Sequence, residues 1–237
     1  MENSKFRILV VEDEAAIRTG LIDVLVYHGY QVGYATDGIV GLEKAQSQQF
    51  DLVLLDVMMP GLNGFEVCQT IRESDKELAI IMLTAKTTDE DVIQGLTLGA
   101  DDYVSKPFSV AQLMLRIQAV LRRGRVLEQP EQLIELGNHA TIDCRNLSAK
   151  TSNGDVVFTR REMEILEYLN LNNQRPVPRD ELLNKVWGYH KDLEIETRTV
   201  DIHIAKLRRK IERKSSTPEF LVTVRGAGYK LLSAPHE

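Results

Sequence analysis

From Phe6 to Arg123 an apolar run, a turn and an amphipathic stretch follow one another five times. That alternation leaves little choice of architecture: the runs are strands, the stretches are crossover helices, and the strands lie parallel in one sheet covered on both faces. The first predicted helix carries Ile17, Leu21, Val24 and Leu25 at helical spacing. The last carries Leu113, Leu115, Ile117, Val120 and Leu121, begins at Ser109 as its N-cap, and stops at Arg122-Arg123-Gly124. The expected fold of this half is α/β, a doubly wound five-stranded parallel sheet.

Four of the runs end in polar groups. Ile8 to Val11 leads into Glu12-Asp13, Leu52 to Leu55 into Asp56, Ile80 to Leu83 into Thr84, and Tyr103 to Ser105 into Lys106-Pro107. In an open parallel sheet ligands bind where the carboxyl ends of strands converge. Glu12, Asp13, Asp56, Thr84 and Lys106 are therefore expected in one shallow crevice. Three carboxylates so close cannot all ionise cheaply without a cation. Mg2+ suits them, because it takes oxygen ligands and keeps waters that a phosphoryl oxygen can displace. With Lys106 and the Thr84 hydroxyl, the set offers the positioning and charge neutralisation that phosphoryl transfer needs, and a carboxylate is a competent nucleophile for it.

At 237 residues and 43% apolar composition, the chain suffices for two ordinary domains. No run approaches the roughly 18 apolar residues of a membrane span, and Met1 to Lys5 shows no signal-peptide pattern, so a cytoplasmic protein without a membrane partner is expected. Cys68 and Cys144 stand far apart and read as buried thiols. Charge is shared unevenly: residues 1–123 hold 11 Lys+Arg against 18 Asp+Glu (net −7), and residues 124–237 hold 18 against 17 (net +1). Two domains with different partners follow, 1–123 and 133–237, joined by a polar linker at 124–132.

The second half has another rhythm. Leu133 to Phe158 gives short strands split by turn signals, suggesting a small antiparallel sheet. A helix follows the Thr159 cap, with Glu162 completing a capping box, and Pro178-Arg179-Asp180 opens another that Gly188 stops. In a third helix Val200, Ile204, Leu207 and Ile211 form one apolar seam, while Arg198, Thr199, Ile202, His203, Lys206, Arg209, Lys210 and Arg213 fall on the opposite face. Phe220 to Val224 and Tyr229 to Leu232 flank the turn Arg225-Gly226-Ala227-Gly228. The expectation is an α+β winged helix-turn-helix domain whose basic helix enters a DNA major groove; a merely solvated helix face would carry the same charges.

The motifs VVEDE, LLDVMMPGLNGFE, MLTAK and GADDYVSKPF resemble those of two-component receiver domains, which are flavodoxin-like. That resemblance implies phosphorylation of Asp56 by a sensor histidine kinase, with Mg2+ held by Asp13, Asp56 and the Met58 backbone carbonyl, aided by Glu12. It also implies that Thr84 and Lys106 hold the phosphoryl oxygens, that Lys106-Pro107 is cis, and that Tyr103 is an aromatic switch. FTRREMEILEYL, TRTVDIHIAKLRRKI and VTVRGAGYKL resemble the winged-helix effector of OmpR/PhoB-type response regulators. By that resemblance Arg198, Thr199, Arg208 and Thr223 contact the DNA backbone, Ile202, His203 and Lys206 read the groove, and Arg225 reaches the minor groove. Lys206 departs from the Arg of some relatives and lacks its bidentate geometry.

The resemblance further implies a homodimer on phosphorylation, with Asp102 and Arg116 matching one intersubunit salt bridge. Val92 and Gln112 occupy the positions of a missing charged pair. It also implies contact of the loop from Gly188 to Glu194 with RNA polymerase, and regulation of transcription from tandem promoter half-sites. Two rival readings remain: a phosphatase with an aspartyl nucleophile, disfavoured because position 58 is Met rather than a second Asp, and a binding protein whose receiver serves only as a dimer scaffold.

Overall fold

The computed structural model describes residues 6–85, 89–121, 133–189 and 198–233. The chain divides into two compact units, Met1–Arg122 and Arg123–Glu237. The expected linker, the helix end at Arg122-Arg123-Gly124 and most of the loop assigned to RNA polymerase lie outside the described residues. No described helix is long and apolar enough to cross a membrane.

The first unit runs β1 (Arg7–Val11), α1 (Ala15–Tyr27), β2 (Gln31–Ala35), α2 (Gly38–Ser47), β3 (Leu52–Asp56), α3 (Gly64–Ser74), β4 (Ala79–Thr84), α4 (Asp89–Leu98), β5 (Asp102–Ser105) and α5 (Val110–Leu121). Its five strands are parallel in the order β2-β1-β3-β4-β5. Every residue of β3 and β4 is buried, as expected for central strands covered on both faces. On one face Ile8, Val10, Leu52, Leu54, Ile81 and Leu83 pack with Leu21 and Leu25 of α1 and Leu113 and Ile117 of α5, while Ile17 and Val24 close the edge. The strand order reverses between β1 and β3, which places the crevice at their carboxyl ends. Asn63 and Glu66 form a capping box that fixes the start of α3. A Cβ at Gly64 would lie 2.2 Å from the Asp56 carbonyl oxygen, so the α3 backbone rests directly on that of β3.

The second unit contains β6 (Leu133–Leu136), β7 (Ala140–Asp143), β8 (Ser148–Thr151), β9 (Gly154–Val157), α6 (Arg160–Leu171), α7 (Arg179–Val186), α8 (Arg198–Ile211), β10 (Leu221–Val224) and β11 (Gly228–Leu231). The first four strands form an antiparallel sheet, and β10 and β11 form the hairpin wing. Thr159 and Glu162 make the expected capping box. Gly228, at φ 123°, lies where a Cβ would meet the Val177 carbonyl oxygen at 2.0 Å, so the wing closes against the segment before α7 only with glycine there. Both cysteines are buried thiols.

Candidate metal centre and nucleic-acid interface

Three strands deliver the acidic crevice. Glu12 and Asp13 follow β1 and Asp56 ends β3; one carboxylate oxygen from each lies within 4.8 Å of the others. Glu12 and Asp56 are buried and Asp13 is exposed, so the cluster has a closed floor and an open mouth. Lys106, after β5 and a cis peptide to Pro107, puts its Nζ 2.7 Å from Glu12 Oε2 and 3.0 Å from Asp56 Oδ2. Burial raises the Glu12 carboxyl above its ordinary range, and the neighbouring Asp56 adds to this against the pull of Lys106. Burial alone would depress the Lys106 ammonium, but its hydrogen bonds to Glu12 and Asp56 outweigh that and keep it charged.

One ammonium faces three carboxylates, and the buried Glu12 Oε1 has no hydrogen-bond partner. That orphaned oxygen and the all-oxygen donor set fit a small divalent cation. The Met58 N–H donates to Asp56 Oδ1 at 3.2 Å, which brings the Met58 backbone beside the acceptor. Thr84 is buried at the end of β4, one position beyond the register partner of Asp56. Tyr103 pairs in register with Met82, so it shares a sheet face with Thr84, and it is half-buried. The pattern of strand ends did not reveal Arg18: its Nη1 donates to the Glu12 and Asp13 carbonyls at 2.8 and 2.9 Å, holding the loop that carries both acids. A guanidinium one turn into the helix after an acidic strand end was the only signal available.

On α8 the seam of Val200, Ile204, Leu207 and Ile211 is buried as expected, but burial extends further. Thr199, Ile202 and His203 are also buried, so the expectation that they share an open face with the basic residues is corrected. The His203 ring meets Trp187 edge-on with centroids 5.2 Å apart, and its Nδ1 lies 2.9 Å from the Thr199 carbonyl. Lys206 turns to Glu162 at 3.0 Å. The open face centres instead on Ala205 and Arg209, flanked by the half-buried Asp201 and by Arg213. Arg208 donates to the Leu221 carbonyl and the Thr223 hydroxyl, both at 2.8 Å, joining α8 to β10. Thr223 and Arg225 are exposed on the wing, and Arg198 is half-buried at the start of α8.

Asp102 and Arg116, expected to bridge two subunits, pair within one chain at 2.7 Å. Asp101 pairs with Arg72 of α3 at 3.1 Å, so the start of β5 is held by an ion pair on each face of the sheet.

Residues 8–118 match the response regulator receiver domain, and residues 153–231 match the C-terminal domain of transcriptional regulatory proteins. The alkaline phosphatase synthesis transcriptional regulatory protein PhoP of Bacillus subtilis is 40% identical over 232 residues, covering 95% of this chain and 96% of that protein. A mutant of RitR is similar in structure with a TM-score of 0.74 at 27% identity, over 96% of this chain and 99% of that one. DrrB of Thermotoga maritima, an OmpR/PhoB homologue, gives a TM-score of 0.51 at 30% identity, over 95% of this chain and 98% of that one.

Proposed function

From a chain that belongs to the DNA-binding response regulators of OmpR/PhoB type, transcriptional regulators rather than enzymes, we propose that Asp56 is the phosphoacceptor of a sensor histidine kinase. The observation that carries this is the gathering of Glu12, Asp13 and Lys106 around the buried Asp56 carboxylate. Asp13, Asp56 and the Met58 carbonyl, aided by Glu12, would hold Mg2+, which when bound supplies charge neutralisation for the phosphoryl oxygens. An Asp56 oxygen forms the new O–P bond as the N–P bond to the donor histidine breaks. Lys106 then exchanges part of its contact with Glu12 and Asp56 for a phosphoryl oxygen, and the Thr84 hydroxyl donates to another. Tyr103, on the same sheet face as Thr84, follows it inward and acts as the switch.

The output is regulated transcription. Arg198 and Arg208 of α8, with Thr223 and Arg225 of the wing, contact DNA. Thr199, Ile202 and His203 brace the helix from its buried side in the free chain. Phosphorylation favours a receiver homodimer that sets two winged helices on tandem half-sites, where linkage raises affinity without a new base contact. The loop after α7 offers RNA polymerase a contact.

Incubating the protein with Mg2+ and acetyl phosphate tests the acceptor assignment. One phosphoryl group should appear in the intact mass of the wild type and not in that of Asp56→Asn. Equal labelling of both proteins would place the acceptor elsewhere.

A further inference from the structure

Glu162 reaches beyond its role as a helix cap. Its fully buried carboxylate lies 3.0 Å from Lys206 Nζ through Oε1 and 2.6 Å from Lys210 Nζ through Oε2. Oε2 also accepts the Thr159 N–H at 2.8 Å, closing the capping box of α6. Lys210 donates in addition to the Val157 carbonyl at 2.8 Å and lies 5.4 Å from the centre of the Phe158 ring. Burial works to raise the Glu162 carboxyl, yet the two ammonium groups hold it below its ordinary value. Two cations one turn apart on α8 are thus anchored to a charge inside the domain.

We infer that Glu162 is a positioning residue for DNA binding: it withholds Lys206 and Lys210 from phosphates and leaves exposed cations such as Arg209 and Arg225 to make the sequence-independent contacts. The inference rests on α8 being the helix that approaches DNA. Affinity for any duplex depends on how many phosphates a protein neutralises, and each adds about 0.9 to the slope of log affinity against log salt. A lysine that left Glu162 for a phosphate would leave a buried carboxylate with one cation fewer, which is costly. Glu162 therefore suppresses non-specific binding and so widens the ratio of specific to non-specific affinity.

The experiment uses the full chain and a mixed-sequence DNA duplex, with fluorescence anisotropy across a salt series. Glu162→Gln keeps a side chain that can serve the capping box and removes the charge to which both lysines are anchored. The expected result is a slope steeper by about 1 to 2 and low-salt affinity tighter on the order of tenfold. A folded Glu162→Gln protein, judged by circular dichroism and a cooperative melt, with the wild-type slope overturns the inference. Should that variant fail to fold, Lys206→Gln decides, because Lys210 remains on Glu162: an unchanged slope supports the inference, and a slope shallower by about 0.9 overturns it. A wild-type protein without salt-dependent affinity for DNA would overturn the reading of α8 itself, and the inference with it.

Discussion

His203 shows how a single side chain ties folding to pH. Burial pushes its imidazole down to about 4, with Lys206 and Arg161 adding to the fall and the Thr199 carbonyl and Glu162 opposing it. The ring is therefore neutral at pH 7, with Nδ1–H donating to Thr199. In the unfolded chain the same residue takes up a proton near pH 6.5, so between about 6.5 and 4 the unfolded state binds more protons. Stability from this residue is complete above that window and is lost as pH falls through it, by on the order of 3 kcal/mol at its foot. Glu167, raised by burial to about 7, acts in the opposite sense, since its folded form loses stability as pH rises toward that value. The His203 effect is therefore read as the difference between proteins. Urea midpoints of His203→Gln should fall less than those of the wild type between about pH 7.5 and pH 4.5. Parallel losses in the two proteins would show that the ring does not titrate as its burial demands. A matching experiment on Glu167→Gln should raise the midpoint near pH 8 and leave it unchanged near pH 4.5.

At the scale of elements, α8 and the wing are joined through Tyr229. Its hydroxyl donates to Asp201 of α8 at 2.6 Å and accepts from Arg179 of α7 at 2.9 Å, while Arg179 and Arg208 lie over its ring at 4.7 and 5.7 Å. Burial and the Asp201 carboxylate hold the phenol at about 12, so it stays a donor throughout the physiological range. Tyr229→Phe keeps the ring and its packing but leaves Asp201 and Arg179 one partner short. A loss of about 1–2 kcal/mol in urea unfolding is expected, because the hydroxyl bonds to a charged group. A loss below about 0.3 kcal/mol would mean that the ring alone joins the two elements.

The sequence made much of this legible, for reasons that can be named. Strands buried on both faces announce themselves as unbroken apolar runs, and their polar ends mark the crevice, so β1, β3, β4 and β5 and the gathering of Glu12, Asp13, Asp56 and Lys106 follow from local pattern. The Thr159 capping box and the wing turn are equally local. The second buried flank of α8 was not legible. Helical periodicity sorts side chains by polarity, and it sets Thr199 and His203 on the wet side, whereas the fold satisfies His203 within the helix and packs it on Trp187. Glu162 and Lys206 are 44 positions apart, and no periodic signal joins them. Asp102 and Arg116 pose a different question: a matched pair of charges does not say whether it closes within a chain, as it does at 2.7 Å here, or between two.

The whole molecule joins a strongly acidic unit to a nearly neutral one, and its response to ligands should follow that division. If Mg2+ binds the carboxylates of the first unit as proposed, at about ten times its dissociation constant it should stabilise that unit by about 1.4 kcal/mol. Thermal unfolding with and without a chelator measures this, and Asp13→Asn should abolish the difference. Burial holds Glu12 above the ordinary carboxylate range, so a proton competes with the ion and Mg2+ affinity should weaken as pH falls. The proposed dimerisation is the larger step. Asp102 and Arg116 pair within the chain at 2.7 Å, so a bridge between subunits would have to share or exchange that contact. Val92 is buried, whereas Ile93 and Val110 are the large apolar side chains left exposed on α4 and α5. Association through this face should therefore rest on apolar contact and be weak and concentration-dependent. Sedimentation velocity across a concentration series should show a monomer without a phosphoryl mimic, and a rising weight-average mass with Mg2+ and beryllofluoride. Ile93→Asp should hold the treated protein at monomer mass, because a carboxylate there faces burial without a cation. A treated wild type that remains monomeric at every concentration would remove receiver pairing from the mechanism and leave activation to each chain alone.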